Sequence, residues 1–134
     1  MFGKDIIIGH SETKIDSANR LMLPSYTHRE PGDKIFIQTF ITNNGYAIKL
    51  YSEDEFKDII TKLEEIKKTT TSYEELIKVR KELESVYGKL SAYLKVSKQN
   101  RITIPKYLMD SLNWESDKFY QCDGLGTSLL IRKK

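Results

Sequence analysis

The stretch Lys14-Ile15-Asp16-Ser17-Ala18-Asn19-Arg20-Leu21-Met22-Leu23-Pro24-Ser25-Tyr26 returns 81 positions later as Lys95-Val96-Ser97-Lys98-Gln99-Asn100-Arg101-Ile102-Thr103-Ile104-Pro105-Lys106-Tyr107. Five of the thirteen positions are identical, and three more exchange one aliphatic residue for another (Ile15 and Val96, Leu21 and Ile102, Leu23 and Ile104). Self-similarity kept in phase across a turn signals a duplicated supersecondary unit. In each copy an aliphatic strand end runs into a polar turn. After glycine, asparagine best tolerates positive φ, so Asn19 and Asn100 each permit a left-handed step that ends one strand and starts the next. Arg20 and Arg101 then occupy the first position of the new strand, near a loop tip. Three residues of apolar alternation follow, closed by a proline that cannot donate to a sheet ladder.

Working outward, the two copies continue alike. Each is followed by a polar stretch and a strand pattern, Lys34 to Phe40 or Lys118 to Cys122. Gly-bearing turns come next, Asn43-Asn44-Gly45 or Asp123-Gly124-Leu125-Gly126, and then a last strand, Tyr46 to Tyr51 or Ser128 to Arg132. Each half therefore reads strand, turn, strand, short helix, strand, hairpin, strand. The short helix is clearer in the second half, where Lys106 to Asn113 holds Tyr107, Leu108 and Leu112 on one side. Between the halves the pattern changes to helical spacing. Ser52 with Glu55 forms a capping box ahead of Phe56, Ile59, Ile60, Leu63 and Ile66. After threonines 69 to 71, Ser72 with Glu75 opens a second helix carrying Leu76, Val79, Leu83, Val86, Tyr87 and Leu90. The expected organisation is a single α+β domain over 1–134, made of a first repeat (1–51), two amphipathic helices (52–93) and a second repeat (94–134).

Composition agrees with one modest core: 134 residues, 39% hydrophobic, 10% aromatic and 31% charged. The short apolar run at Ile6, Ile7 and Ile8 is far from a signal peptide or a membrane span, which points to a cytoplasmic protein. The lone Cys122 reads as a small filler in a strand. The net charge of +3 is modest, but residues 94–134 hold eight basic and four acidic groups, so the basic excess sits in the second half. His10 and His28 have no partner at metal-ligand spacing, and no cofactor motif is present. There is no nucleophile elbow, no glycine-rich phosphate loop and no acid-protease dyad, so an enzyme is not expected.

The pattern Lys-aliphatic-Asp/Ser-x-x-Asn-Arg-aliphatic-x-aliphatic-Pro resembles the signature of the SpoVT/AbrB family of transcription regulators, whose turn usually reads Asp-x-x-Gly-Arg. Two such halves in one chain, separated by helices and opening with Met1-Phe2, resemble the MraZ-like members of that family. The resemblance covers most of the chain. It implies a swapped-hairpin, double-psi-like β-barrel formed by the two halves, with a helical pair inserted between them. It also implies a sequence-specific regulator that binds double-stranded DNA at repeated promoter sites as a homo-oligomer or ring, associated with the nucleoid. By the same resemblance Arg20 and Arg101 correspond to the arginines of the DNA-contacting loops. Lys14 and Lys95 lie on the adjacent strands, and His28 falls where the family often carries a basic residue after the proline, with Arg29 beside it. Departures from the pattern are the asparagines in place of the turn glycine, Ser97 in place of aspartate, Ala18 where a lysine is common, and Met109 at the second-half equivalent of His28.

For either arginine the plain alternative is an ion pair inside its own turn, with Asp16 available in the first copy. Lys98 and Lys106 are candidates for phosphate contacts or for ordinary solvated surface. Trp114 reads as a packing residue, and Arg132-Lys133-Lys134 as a charged strand end. The competing functional class is a protein-interaction barrel or an AbrB-type antitoxin with a protein partner. Such antitoxins usually carry one half and a toxin-binding tail, which two halves do not match.

Overall fold

The computed structural model of the chain describes residues 7–27, 29–43, 45–87 and 92–134. Expectations that fall on Met1, Phe2, His28, Asn44 and Leu90, and on the side chains of Val86 and Tyr87, lie outside the described residues. The first half supplies β1 (His10–Ile15), β2 (Arg20–Met22), a 3-10 turn (Ser25–Thr27), β3 (Lys34–Thr42) and β4 (Gly45–Ser52). Two helices follow, α1 (Glu53–Thr69) and α2 (Tyr73–Tyr87). The second half supplies β5 (Ala92–Lys95), β6 (Arg101–Thr103), α3 (Lys106–Leu112), β7 (Lys118–Gly124) and β8 (Leu129–Lys133). The class is α+β. β5 starts two residues ahead of the expected boundary because Ala92 and Tyr93 pair with Ile37 and Phe36.

The halves do not fold side by side. A six-stranded antiparallel sheet runs in the order β1-β7-β8-β4-β3-β5, and β2 pairs with β6 in a separate two-stranded ribbon. Each half thus lends its first strand to the other: β1 lies against β7, and β5 against β3. The arrangement has a pseudo-two-fold. Lys49 faces Leu130 where β4 meets β8, Ile48 faces Ile131 as Leu50 faces Leu129, and on the ribbon Leu21 faces Ile102. The curled sheet is bridged by the ribbon. Between them lies a core that includes Ile15, Leu21, Ile37, Ile48, Ile102 and Tyr120. Cys122 is fully buried in it, and burial pushes its thiol up to about 12, so it packs as an unreactive filler.

A second core explains why β3 and β4 are apolar on both faces. Ile35, Ile37 and Leu50 turn inward, whereas Phe36 and Tyr51 turn out toward Phe56, Leu63, Val79 and Leu83 of the helical pair. Phe36 and Phe56 stack with ring centroids 4.3 Å apart. Both helix starts are capped as the sequence indicates, with Glu55 N–H donating to Ser52 Oγ at 3.2 Å and Glu75 N–H to Ser72 Oγ at 3.3 Å. One helical face differs from expectation. On α3 it is Leu108, Met109 and Leu112 that are buried, while Tyr107 is 53% exposed. In so short a helix Met109 reaches the core from the turn that Tyr107 spends on the surface. The first half has only the 3-10 turn at that place, as its shorter link permits. Trp114 packs on Tyr120 with centroids 4.5 Å apart, and its Nε1 is buried without a partner.

Candidate nucleic-acid interface

The two repeated turns fold into matching hairpin loops. Asn19 N–H donates to Asp16 C=O at 3.0 Å, and Asp16 N–H to Arg20 C=O at 2.9 Å. In the second loop Asn100 N–H donates to Ser97 C=O at 3.0 Å, and Ser97 N–H to Arg101 C=O at 2.8 Å. Asn19 and Asn100 take φ of 61° and 57°, the left-handed step that closes a three-residue hairpin. Each loop end is then stitched to the opposite half. Ile104 N–H donates to Asn19 C=O at 2.8 Å, and Leu23 N–H to Asn100 C=O at 2.9 Å.

The ribbon has one dry face and one wet face. Leu21 and Ile102 are each 1% exposed and point into the core. The alternate positions point out: Arg20 opposite Thr103, and Met22 opposite Arg101. Arg20 and Arg101 are therefore diagonal neighbours on one outer surface, with backbones about 7–8 Å apart. Met22 is half exposed between them. Met22 and Thr103 were not singled out from sequence, although the alternation in Arg-Leu-Met and Arg-Ile-Thr marks them as outward.

The two arginines differ in their local chemistry. Asp16 Oδ1 accepts from the backbone N–H groups of Ala18 and Arg20, each at 2.9 Å, and Oδ2 accepts from Arg20 Nε at 2.9 Å. These bonds, the one from the Arg20 backbone foremost, together outweigh the opposing effect of desolvation and hold the Asp16 carboxyl below its ordinary range. The clasp uses Nε and leaves the two terminal amino groups of Arg20 to engage a planar acceptor pair. The intra-turn ion pair is thus present, in a geometry that orients the guanidinium. In the second loop Ser97 Oγ only accepts the Arg101 N–H at 3.2 Å. Among the described residues no carboxylate pairs with Arg101.

The remaining candidates fall into three places. Lys98 is exposed at the second loop tip, and Lys106 is exposed two residues past Ile104, whose N–H holds the first loop. The β2–β6 pairing thereby puts Lys106 at the Arg20 end of the ribbon, while Lys98 belongs to the same loop as Arg101. Lys14 and Lys95 are exposed on β1 and β5, the two edge strands of the large sheet, so they flank the ribbon rather than join it. Arg29 is half-buried beside a small apolar cavity lined by Ile7, Leu23, Ile35 and Leu129. His28 lies outside the described residues. His10 has a partner that spacing in sequence conceals, since its Nδ1 lies 2.6 Å from Asp123 Oδ1 across the β1–β7 pairing. Among the described residues there is no group of three or more potential metal ligands and no helix long and apolar enough to cross a membrane.

No family model matches the chain. It is 30% identical over 105 residues to a protein of Koribacter versatilis (strain Ellin345) named transcriptional regulator MraZ, covering 77% of this chain and 67% of that protein. The solution structure of PHS018 from Pyrococcus horikoshii aligns over 97% of each chain, with 12% identity and a TM-score of 0.43.

Proposed function

The chain belongs to the MraZ family of transcriptional regulators, and from that premise we propose that it regulates transcription by binding double-stranded DNA through the β2–β6 ribbon and its two loops. The observation that carries this reading is the pairing of Arg20 and Arg101 on the wet face of a ribbon whose other face is locked into the core. A two-stranded ribbon fits the major groove, and a guanidinium there can fork onto O6 and N7 of guanine or onto a phosphate. Arg20 and Arg101 read bases or seat on phosphates at the two ends, with Lys98 and Lys106 on the backbone beside them. Lys14, Lys95 and Arg29 form the outer, weaker part of the footprint, and by the family resemblance His28 is expected to contribute with them. The exchanged strands, β1 on β7 and β5 on β3, support the reading that the two repeats make one swapped-hairpin barrel.

One ribbon offers few base contacts, so sequence-specific control calls for several barrels joined in a homo-oligomer on repeated promoter sites, where later contacts become intramolecular. The working place of such a protein is the cytoplasm, at the nucleoid. The test is a mobility shift on the DNA upstream of the chain's own coding region. Arg20→Ala and Arg101→Ala are each expected to weaken binding by about tenfold or more, the scale of one bidentate base contact at ~1–3 kcal/mol. The oligomer mass by light scattering should stay unchanged. Full-strength binding by both variants would falsify the assignment.

A further inference from the structure

The pseudo-two-fold makes the second half's surface directly comparable with the first, position by position, through strand register. Lys14 faces Phe119 on β7 as Lys95 faces Lys34 on β3, and Tyr120 faces Lys133 as Ile35 faces Ser52. Lys118, Lys133 and Lys134 therefore stand where the first half has Asp33, Ser52 and Glu53. Three cations on one side answer two carboxylates and a hydroxyl on the other. In the first half this position is also closed off electrostatically, since Glu53 takes Lys34 at 3.4 Å and Lys57 at 3.8 Å.

The three lysines converge. Lys118, Lys133 and Lys134 line one open depression of about 260 Å³ together with Glu115, Phe119 and Tyr120. Lys134 is paired with Glu12 at 2.8 Å, whereas Lys118 and Lys133 have no carboxylate partner among the described residues. The depression adjoins the Arg20 end of the ribbon. Lys118 pairs with Ile15, the residue before Asp16, and Asp117 N–H donates to Ile15 C=O at 2.6 Å. One strand beyond, Asp16 N–H binds the Arg20 carbonyl, so the Lys118 backbone lies on the order of 10 Å from Arg20, two strand spacings away, with Lys133 one strand further on β8.

We propose that the depression between Lys118, Lys133 and Lys134 is a phosphate shelf that extends the duplex contact past the Arg20 end of the ribbon only, so the chain binds DNA with a fixed polarity. This rests on the DNA-binding reading and adds a direction to it. At the Arg101 end the equivalent positions are Asp33, Ser52 and Glu53, and the nearby cations Lys34 and Lys57 are engaged by Glu53, so no comparable cluster of lysines is offered to a phosphate backbone. The near-symmetric barrel is thereby made to distinguish the two ends of its site without any base contact, through backbone charge alone.

The experiment uses the full chain and a labelled duplex from the DNA upstream of its coding region, with affinity measured across a salt series. Each lost phosphate contact lowers the slope of log K against log[salt] by about 0.9. Lys118→Gln/Lys133→Gln is expected to lower the slope by about 2 with the sequence preference kept, and hydroxyl-radical protection should retract at one side of the site only. Lys118→Arg/Lys133→Arg should keep both, which separates charge from packing. Lys67→Gln/Lys68→Gln, at the exposed end of α1, matches the charge change and should leave slope and footprint as they were. A Gln double variant with an unaltered slope, or a footprint that shrinks at both sides, overturns the shelf while the ribbon reading stands or falls on the Arg20 and Arg101 variants. Absence of salt-dependent binding by the unsubstituted chain overturns both.

Discussion

The loop from Asp16 to Arg20 and the loop from Ser97 to Arg101 share a backbone and differ in how they use it. Both close through the same turn bonds and the same left-handed asparagine. The first surrounds its arginine with a carboxylate that accepts three hydrogen bonds, while the second offers a single hydroxyl acceptor. The turn geometry is thus independent of the side chain at its first position. That side chain sets whether the arginine is oriented at the cost of its net charge, or left positive and less constrained. The β2–β6 pairing offsets this difference, because it brings Lys106 of the second half to the first loop, where Asp16 engages Arg20.

The equivalence of the halves is tested most severely in the core. Leu21→Ala and Ile102→Ala remove facing side chains buried to the same degree, and each is expected to destabilise by about 2–5 kcal/mol in urea unfolding. A cost confined to one of them would break the two-fold. The loops should diverge next in DNA affinity. Arg20→Ala leaves the Asp16 carboxylate facing the duplex, so it should bind more weakly than Arg101→Ala, within the ~1–3 kcal/mol range of a single contact. Asp16→Ser/Arg20→Ala should then restore the level of Arg101→Ala. If the order is reversed, the clasp does not orient Arg20 for DNA.

Backbone strain should bring the loops together again. Asn19→Ala and Asn100→Ala force a β-carbon into the left-handed region at about 1–2 kcal/mol each, whereas the glycine variants should not show that penalty. The smallest contrast is in acid. The depressed Asp16 value means its clasp is complete above the ordinary carboxylate range and is lost as pH falls through the lowered folded-state value. Amide exchange at Ala18 and Arg20 should quicken there, while Lys98 to Arg101 shows no such step. Ser97→Asp should install the step in the second loop.

Much of this was legible in sequence because it is local. The two turns, the asparagine steps, the strand order within each half and both helix caps depend on residues a few positions apart. What escaped depends on partners far along the chain. His10 meets Asp123 only because β1 pairs with β7, and Lys106 comes to the first loop only because β2 pairs with β6 and Ile104 N–H binds Asn19 C=O. Lys133 and Lys134 read as a charged strand end until β7 brings Lys118 beside them. Tyr107 and Met109 trade places because seven helical residues give too little periodicity to fix a face.

The exchange of first strands also sets a timetable for the nascent chain. β1 ends at Ile15, yet its ladder partner β7 begins only at Lys118, so β1 is synthesised well before the strand it pairs with. Until β7 has left the ribosome, β1 has an open edge and the hydrophobic side of its hairpin has nowhere to go. The β3–β4 hairpin and the helical pair, whose contacts are local, can order first and wait. The sheet is completed only once β7 is available, so translation interrupted before Lys118 leaves β1 without its ladder partner.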